Sequence, residues 1–227
     1  MKFKINIKIA VIIFLCILIA SLFFIPKEYL RPIITGRVIT RVSVISRVAL
    51  NCSIFMVEGW NLVSMPCVTK NNSRDPMLTT INDSYLSIHT YKITDTLDPW
   101  KSYNPNLPWW VVQDLDKITE LEGYWIRMSY NDTWLVDGKV IWPILIPMFR
   151  GWNLVGFHSN VTMRMNDSLQ TIDGSYSAVY AYNANTSQWM IYYPWLPPWV
   201  SQNLTNMSLY FGYWINMTQD DVWVLGT

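Results

Sequence analysis

Gly59-Trp60-Asn61-Leu62-Val63 returns about 90 residues later as Gly151-Trp152-Asn153-Leu154-Val155, and an ordered series of matches follows each copy. Ser84-Tyr85 corresponds to Ser175-Tyr176, Tyr91 to Tyr182 and Trp100 to Trp189. Pro108-Trp109-Trp110 corresponds to Pro197-Pro198-Trp199. Each copy closes on the same words, Gly123-Tyr124-Trp125-Ile126 and Gly212-Tyr213-Trp214-Ile215, with Trp134 and Trp223 following at equal distance. So many matches in one order indicate an internal duplication, expected as module 1 over residues 48–138 and module 2 over residues 139–227.

One copy reads as short strands with short helices. Ser53–Val57 and Asn61–Met65 flank Glu58-Gly59-Trp60, where a glycine at the first central position suits a type II′ turn, so an opening hairpin is expected. Apolar spacing after Asp and Asn-Asp-Ser predicts a short capped helix near Met77–Ile81 and Leu169–Ile172. Alternation over Tyr85–Tyr91 and Tyr176–Tyr182 gives strands, and Trp100–Tyr103 another. Val112, Leu115 and Ile118 permit a further short helix, and the Gly-Tyr-Trp-Ile and Trp134 strands are expected to form a closing hairpin. The fold class expected is mainly β, two tandem small barrels or sandwiches behind an N-terminal transmembrane helix.

This arrangement resembles a repeat of secreted and surface-layer-associated proteins of archaea and some bacteria, opening on Gly-Trp-Asn-Leu-Val/Ile and closing on Gly-Tyr-Trp-Ile/Val. The resemblance covers about residues 48–227 and implies an exterior, modular, non-catalytic building block. Leu121-Glu122 and Tyr210-Phe211 stand where the commoner pattern has Pro-Gly, which bears on the turn geometry before the closing motif.

Residues 1–32 have another character. Lys2, Lys4 and Lys8 precede an uncharged apolar run from Ile9 to Ile25, closed by Pro26-Lys27-Glu28, the layout of a signal sequence or signal anchor. The run approaches the roughly 20 residues that span a bilayer and lacks a convincing cleavage site, which favours a retained single-pass anchor over a secreted protein. Lys27, Arg31 and Arg37 nearly balance the preceding lysines, so charge leaves the orientation open. Acceptor sequences for N-glycosylation at Asn51, Asn71, Asn82, Asn131, Asn160, Asn166, Asn185, Asn203, Asn206 and Asn216 exceed the roughly two or three that chance gives, and place the modules outside the membrane. Residues 33–47 connect anchor to module. The alternation from Thr35 to Leu50 predicts a strand, either an edge strand of module 1 or one donated to a neighbouring subunit.

Cys16 lies in the apolar run, leaving Cys52 and Cys67 as a possible disulfide. In the expected hairpin they stand opposite each other as a hydrogen-bonded pair, a register less suited to bridging, so a bridge and two buried thiols both remain open.

A net charge of +1 without a basic stripe gives no footprint for nucleic acid. His89 and His158 occupy non-equivalent places and lack ligand spacing. Asp114, Asp116, Glu120 and Glu122 cluster, but module 2 has Asn203, Thr205, Leu209 and Phe211 there, so a solvated face is expected rather than paired carboxylates or a calcium site. No enzyme, cofactor or metal is expected. With 13 Trp and 13 Tyr the chain has the rings for binding. Trp109, Trp110, Trp195 and Trp199, in Pro-rich loops, either stack on a ligand or close over a core, whereas Trp60, Trp125, Trp152 and Trp214 are expected inside. The functions expected are a structural or adhesive role in the cell envelope or, alternatively, carbohydrate binding through the loop tryptophans. The expected partners are the membrane and envelope glycans or neighbouring surface proteins.

Overall fold

The computed structural model describes residues 46–226 apart from positions 160 and 198, so the apolar run, the linker up to residue 45 and Asn160 lie outside the described residues. The chain is mainly β, with several sheets. No helix among the described residues is long and apolar enough to cross a membrane.

Strands form where β-branched and aromatic residues alternate with polar ones. The first six are β1 (Ser46–Met56), β2 (Gly59–Ser64), β3 (Tyr85–Tyr91), β4 (Trp100–Tyr103), β5 (Gly123–Met128) and β6 (Asp132–Trp142). The next eight are β7 (Ile144–Met148), β8 (Gly151–Gly156), β9 (Met163–Arg164), β10 (Tyr176–Asn183), β11 (Gln188–Tyr192), β12 (Asn206–Met207), β13 (Gly212–Met217) and β14 (Asp221–Leu225). The same antiparallel pattern occurs twice. A four-stranded sheet in the order β2-β5-β3-β4 corresponds to β8-β13-β10-β11, and the pair β1-β6 corresponds to β7-β14. Even the irregularity recurs, a register shift at Tyr85/Ser87 and again at Tyr176/Ala178.

The expected hairpins do not form. β1 pairs along its length with β6, from Ser46 opposite Trp142 to Met56 opposite Asp132, while β2 pairs with β5. The chain thus crosses from one sheet to the other at Val57–Gly59, and crosses back between β5 and β6. A buried asparagine holds this corner. Asn61 Oδ1 accepts from Val57 N–H (3.1 Å), and Nδ2 donates to the carbonyls of Val57 (2.7 Å) and Gly59 (3.2 Å). Asn153 repeats the arrangement on Phe149 and Gly151. The side chain supplies the bonds a ladder partner would otherwise give, so the backbone can leave its sheet without stranding polar groups. Gly59 and Gly151 adopt φ of +93° and +105°, a conformation that a side chain at the corner would strain.

Among the described residues the helices are short, α1 (Arg74–Leu78) and α2 (Met165–Ser168), each continued by a 3₁₀ turn, and neither carries the side-chain cap expected for it. Nor does a helix form at Val112–Ile118. That segment is extended because its backbone is engaged elsewhere: Leu115 N–H donates to Ser102 O, Ile118 N–H to Asn72 O, and Asp116 O accepts from Arg74 N–H.

Two hydrophobic cores result. Ile54, Met65, Leu78, Ile88, Tyr124, Ile126 and Trp134 belong to one, and Ile146, Phe157, Leu169, Val179, Tyr213, Ile215 and Trp223 to the other. The repeated tryptophan is fully buried and donates its indole N–H to a carbonyl at the end of the helix, Trp134 to Met77 O (2.6 Å) and Trp223 to Ser168 O (2.7 Å). A buried ring thus keeps its polar atom satisfied. The halves join reciprocally. Ser64 N–H donates to Tyr210 O (2.8 Å) and Gly156 N–H to Leu121 O (3.0 Å), so the residues standing in place of Pro-Gly bridge the two halves. A Cβ on Gly123 would lie 2.8 Å from Leu154 Cδ1, and one on Gly212 would lie 3.0 Å from Leu62 Cδ1. These glycines let each sheet approach the other.

Candidate functional site: exposed ring-bearing loops and an aromatic seam

The loops after β4 and β11 are built alike. Gln113 Oε1 accepts from Asn104 N–H and Gln202 Oε1 from Tyr193 N–H, each at 2.5 Å, clamping the two ends of each loop together. Inside the loops, Val111 N–H donates to Pro108 O and Val200 N–H to Pro197 O, both at 2.9 Å. The loops hold their tryptophans outward: Trp109 is 90% exposed, Trp110 68%, Trp195 68% and Trp199 84%. They do not close over a core. Trp109 and Trp110 stand edge to face with centroids 5.8 Å apart, and Trp195 lies 5.4 Å from Tyr193.

Trp60, Trp125, Trp152 and Trp214, expected inside, lie on the opposite face of their sheets from the core. Trp125 follows buried Tyr124 and precedes buried Ile126, so the pleat turns it outward. It meets Tyr182 (5.2 Å) and Trp189 (5.6 Å) of the second half, and reciprocally Trp214 meets Tyr91 (5.3 Å) and Trp100 (5.8 Å) of the first. Trp60 and Trp152 extend this seam beside Trp125 and Trp214. Period-2 alternation is the signal that finds these residues. A cleft of about 380 Å³ opens in the seam, lined by Trp60, His89, Trp100, Trp125, Tyr182 and Trp189. His89 is half-buried there, its Nε2 3.0 Å from Ser87 Oγ, and burial lowers its pKa.

His158 is buried, and burial pushes its pKa down to about 4 against a smaller opposing pull from the Glu120 backbone. Neither ring nitrogen reaches a partner at good hydrogen-bonding geometry. Of the acidic cluster, Asp116 is exposed to solvent, whereas Asp114 and Glu122 are engaged in structural contacts. Asp114 accepts from Ser102 N–H and pairs with Lys101, which also binds Asp95 and Asp98, while Glu122 pairs with Lys92 and accepts from Tyr124 O–H. Among the described residues no group of three or more His, Cys, Asp or Glu is placed to hold a metal.

Cys52 and Cys67 form a disulfide with Cα atoms 6.0 Å apart. They are not opposite one another in a hairpin: Cys52 faces Val136 across the β1-β6 ladder, and Cys67 precedes Val68, which bridges Lys139 on β6. The disulfide ties β1 to the chain lying along β6. Of the glycosylation candidates, Asn71, Asn82, Asn131, Asn166, Asn185, Asn203 and Asn206 are exposed, whereas Asn216 is half-buried within β13, the inner strand between β8 and β10. Asn51 lies on β1.

No protein-family model, curated protein or solved structure matches this chain.

Proposed function

We propose that the chain is a cell-surface glycoprotein with an adhesive role in the envelope, tethered by its N-terminal apolar segment and touching its partner through the ring-bearing loops. The observation that carries this reading is the exposure of Trp109, Trp110, Trp195 and Trp199 on loops clamped at their bases. Each indole offers roughly 150–250 Å² to bury, worth about 4–6 kcal/mol before the losses of association. Loops already held in place lose little further freedom on contact. Two loops in one chain add avidity where both reach the same surface.

The disulfide supports an oxidising, exterior location, and the exposed glycosylation candidates agree with it. A retained anchor at residues 9–25 would fix the chain to its membrane. Carbohydrate binding through the same tryptophans is the second reading. It is favoured by flat indole faces held in rigid loops, which suit the apolar face of a sugar ring.

The test is a full-length variant carrying Trp109→Ala, Trp110→Ala, Trp195→Ala and Trp199→Ala. Exposed rings contribute little to the cores, so the variant keeps its melting temperature while its retention on the native envelope fraction falls at least tenfold. Retention equal to wild type would refute the adhesive reading.

A further inference from the structure

We propose that module 2 carries a cavity for neutral saccharides which module 1 has filled with an arginine. The inference deepens the adhesive reading and rests on it for the exterior location. The duplication pairs Arg74 with Met165, Tyr103 with Tyr192 and Leu115 with Leu204. The backbone confirms the first pair: Arg74 N–H donates to Asp116 O, and Met165 N–H to Thr205 O, the corresponding residue.

In module 1 the Arg74 guanidinium lies 3.4 Å above the centre of the Tyr103 ring. It also donates to Leu115 O (3.2 Å) and pairs with Asp75 (2.7 Å). In module 2 the position is taken by buried Met165, and among the described residues no guanidinium lies over the Tyr192 ring. A cavity of about 800 Å³ lies between α2 and the proline-rich loop, lined among others by Arg164, Asp167, Asp173, Tyr192, Gln202 and Leu204. Its size is that of a small-molecule site.

The lining mixes a phenol ring and aliphatic side chains with carboxylates and amides. Apolar faces take the C–H side of a pyranose, and carboxylate and amide oxygens accept from vicinal hydroxyls. Arg164 against Asp167 and Asp173 leaves an excess negative charge, which disfavours acidic sugars. The loop forming one wall also carries Trp195 and Trp199. Asn166 and Asn206 lie on the same lining, so an attached glycan would compete for the space. Saccharide binding in the cavity thus requires both to be unmodified in the native protein.

The full-length protein would be applied to an array of neutral hexose and N-acetylhexosamine oligosaccharides together with uronate-containing ones, and Asn166 and Asn206 examined by peptide mass. The expected result is retention of a neutral class with both asparagines unmodified. Met165→Arg, which copies module 1, should weaken it at least tenfold in the folded protein, at a lowered melting temperature because Met165 is buried in the core. Asp167→Ala, at an exposed position outside the core, should weaken it as well, and covers the case in which Met165→Arg fails to fold. Arg74→Met should raise the binding stoichiometry from one to two. Undiminished binding by a folded Met165→Arg or by Asp167→Ala overturns the inference. So does a preference for uronates, a glycan on either asparagine, or no neutral retention by folded wild type. Normal envelope attachment by Met165→Arg alongside such a failure leaves the adhesive reading standing. Normal attachment by the four-tryptophan variant, with neutral saccharide still bound in the cavity, would sink the loop reading alone.

Discussion

Replacing Asn61 tests whether the Gly-Trp-Asn motif exists to turn a sheet corner. The side chain is buried and satisfies one N–H and two carbonyls of the backbone. Asn61→Ala leaves those groups without their partner, and at about 1–3 kcal/mol for an unsatisfied buried group, with partial rescue by water, a loss of about 3 kcal/mol is expected. That is a large share of the roughly 5–15 kcal/mol by which domains are stable. Asn61→Asp is more diagnostic. Its carboxylate still accepts from Val57 N–H but turns an oxygen toward the Val57 and Gly59 carbonyls. Burial and those carbonyls both raise the folded-state pKa above the ordinary aspartate value of about 3.9. The unfolded state then loses its proton first as pH rises, so the variant is least impaired below about pH 4 and loses stability upward to its folded pKa. Urea unfolding of wild type and both variants from pH 3.5 to 7.5 measures this. A cost for Asn61→Ala under 0.5 kcal/mol, or no pH dependence in the Asp variant's difference from wild type, would refute the corner role.

Other expectations follow from single contacts. His158 has its pKa pushed to about 4 in the folded protein against 6.5 unfolded, so stability is full above pH 6.5 and falls by about 3 kcal/mol as pH drops to 4. His158→Met should flatten that part of the stability profile. Cys52→Ala with Cys67→Ala should cost about 3 kcal/mol, the loop-closure value for a separation of 15 residues, read as a lower urea midpoint. Gly212→Ala places a methyl 2.9 Å from Val63 O and 3.0 Å from Leu62 Cδ1, so it should lower the melting temperature by prising the halves apart; an unchanged value would mean the junction is not tightly packed.

Strand positions are legible in the sequence because alternation reports them directly, and the duplication checks each one twice. Strand partners are not. A glycine between two alternating segments suits a hairpin and a sheet-to-sheet corner equally, and the difference lies in whether Asn61 turns back onto Val57. Trp125 shows a similar limit. Its outward direction is readable from the pleat, but outward means solvent unless the second module is known to lie there, and Tyr182 and Trp189 come from distant sequence. The loop rings are legible as a pair of alternatives, since composition does not tell a ring held out by Pro and Gln from one folded in. Arg74 and Met165 gain meaning only when the copies are superposed.

The most direct measurement is the intact mass of the chain isolated from its own membrane, before and after chemical removal of N-linked glycans. An exterior, tethered glycoprotein has a mass that includes residues 1–32, falls on deglycosylation and shows Cys52 and Cys67 in one disulfide-linked peptide. An unmodified polypeptide with both thiols reduced would contradict the exterior location, and with it the adhesive role.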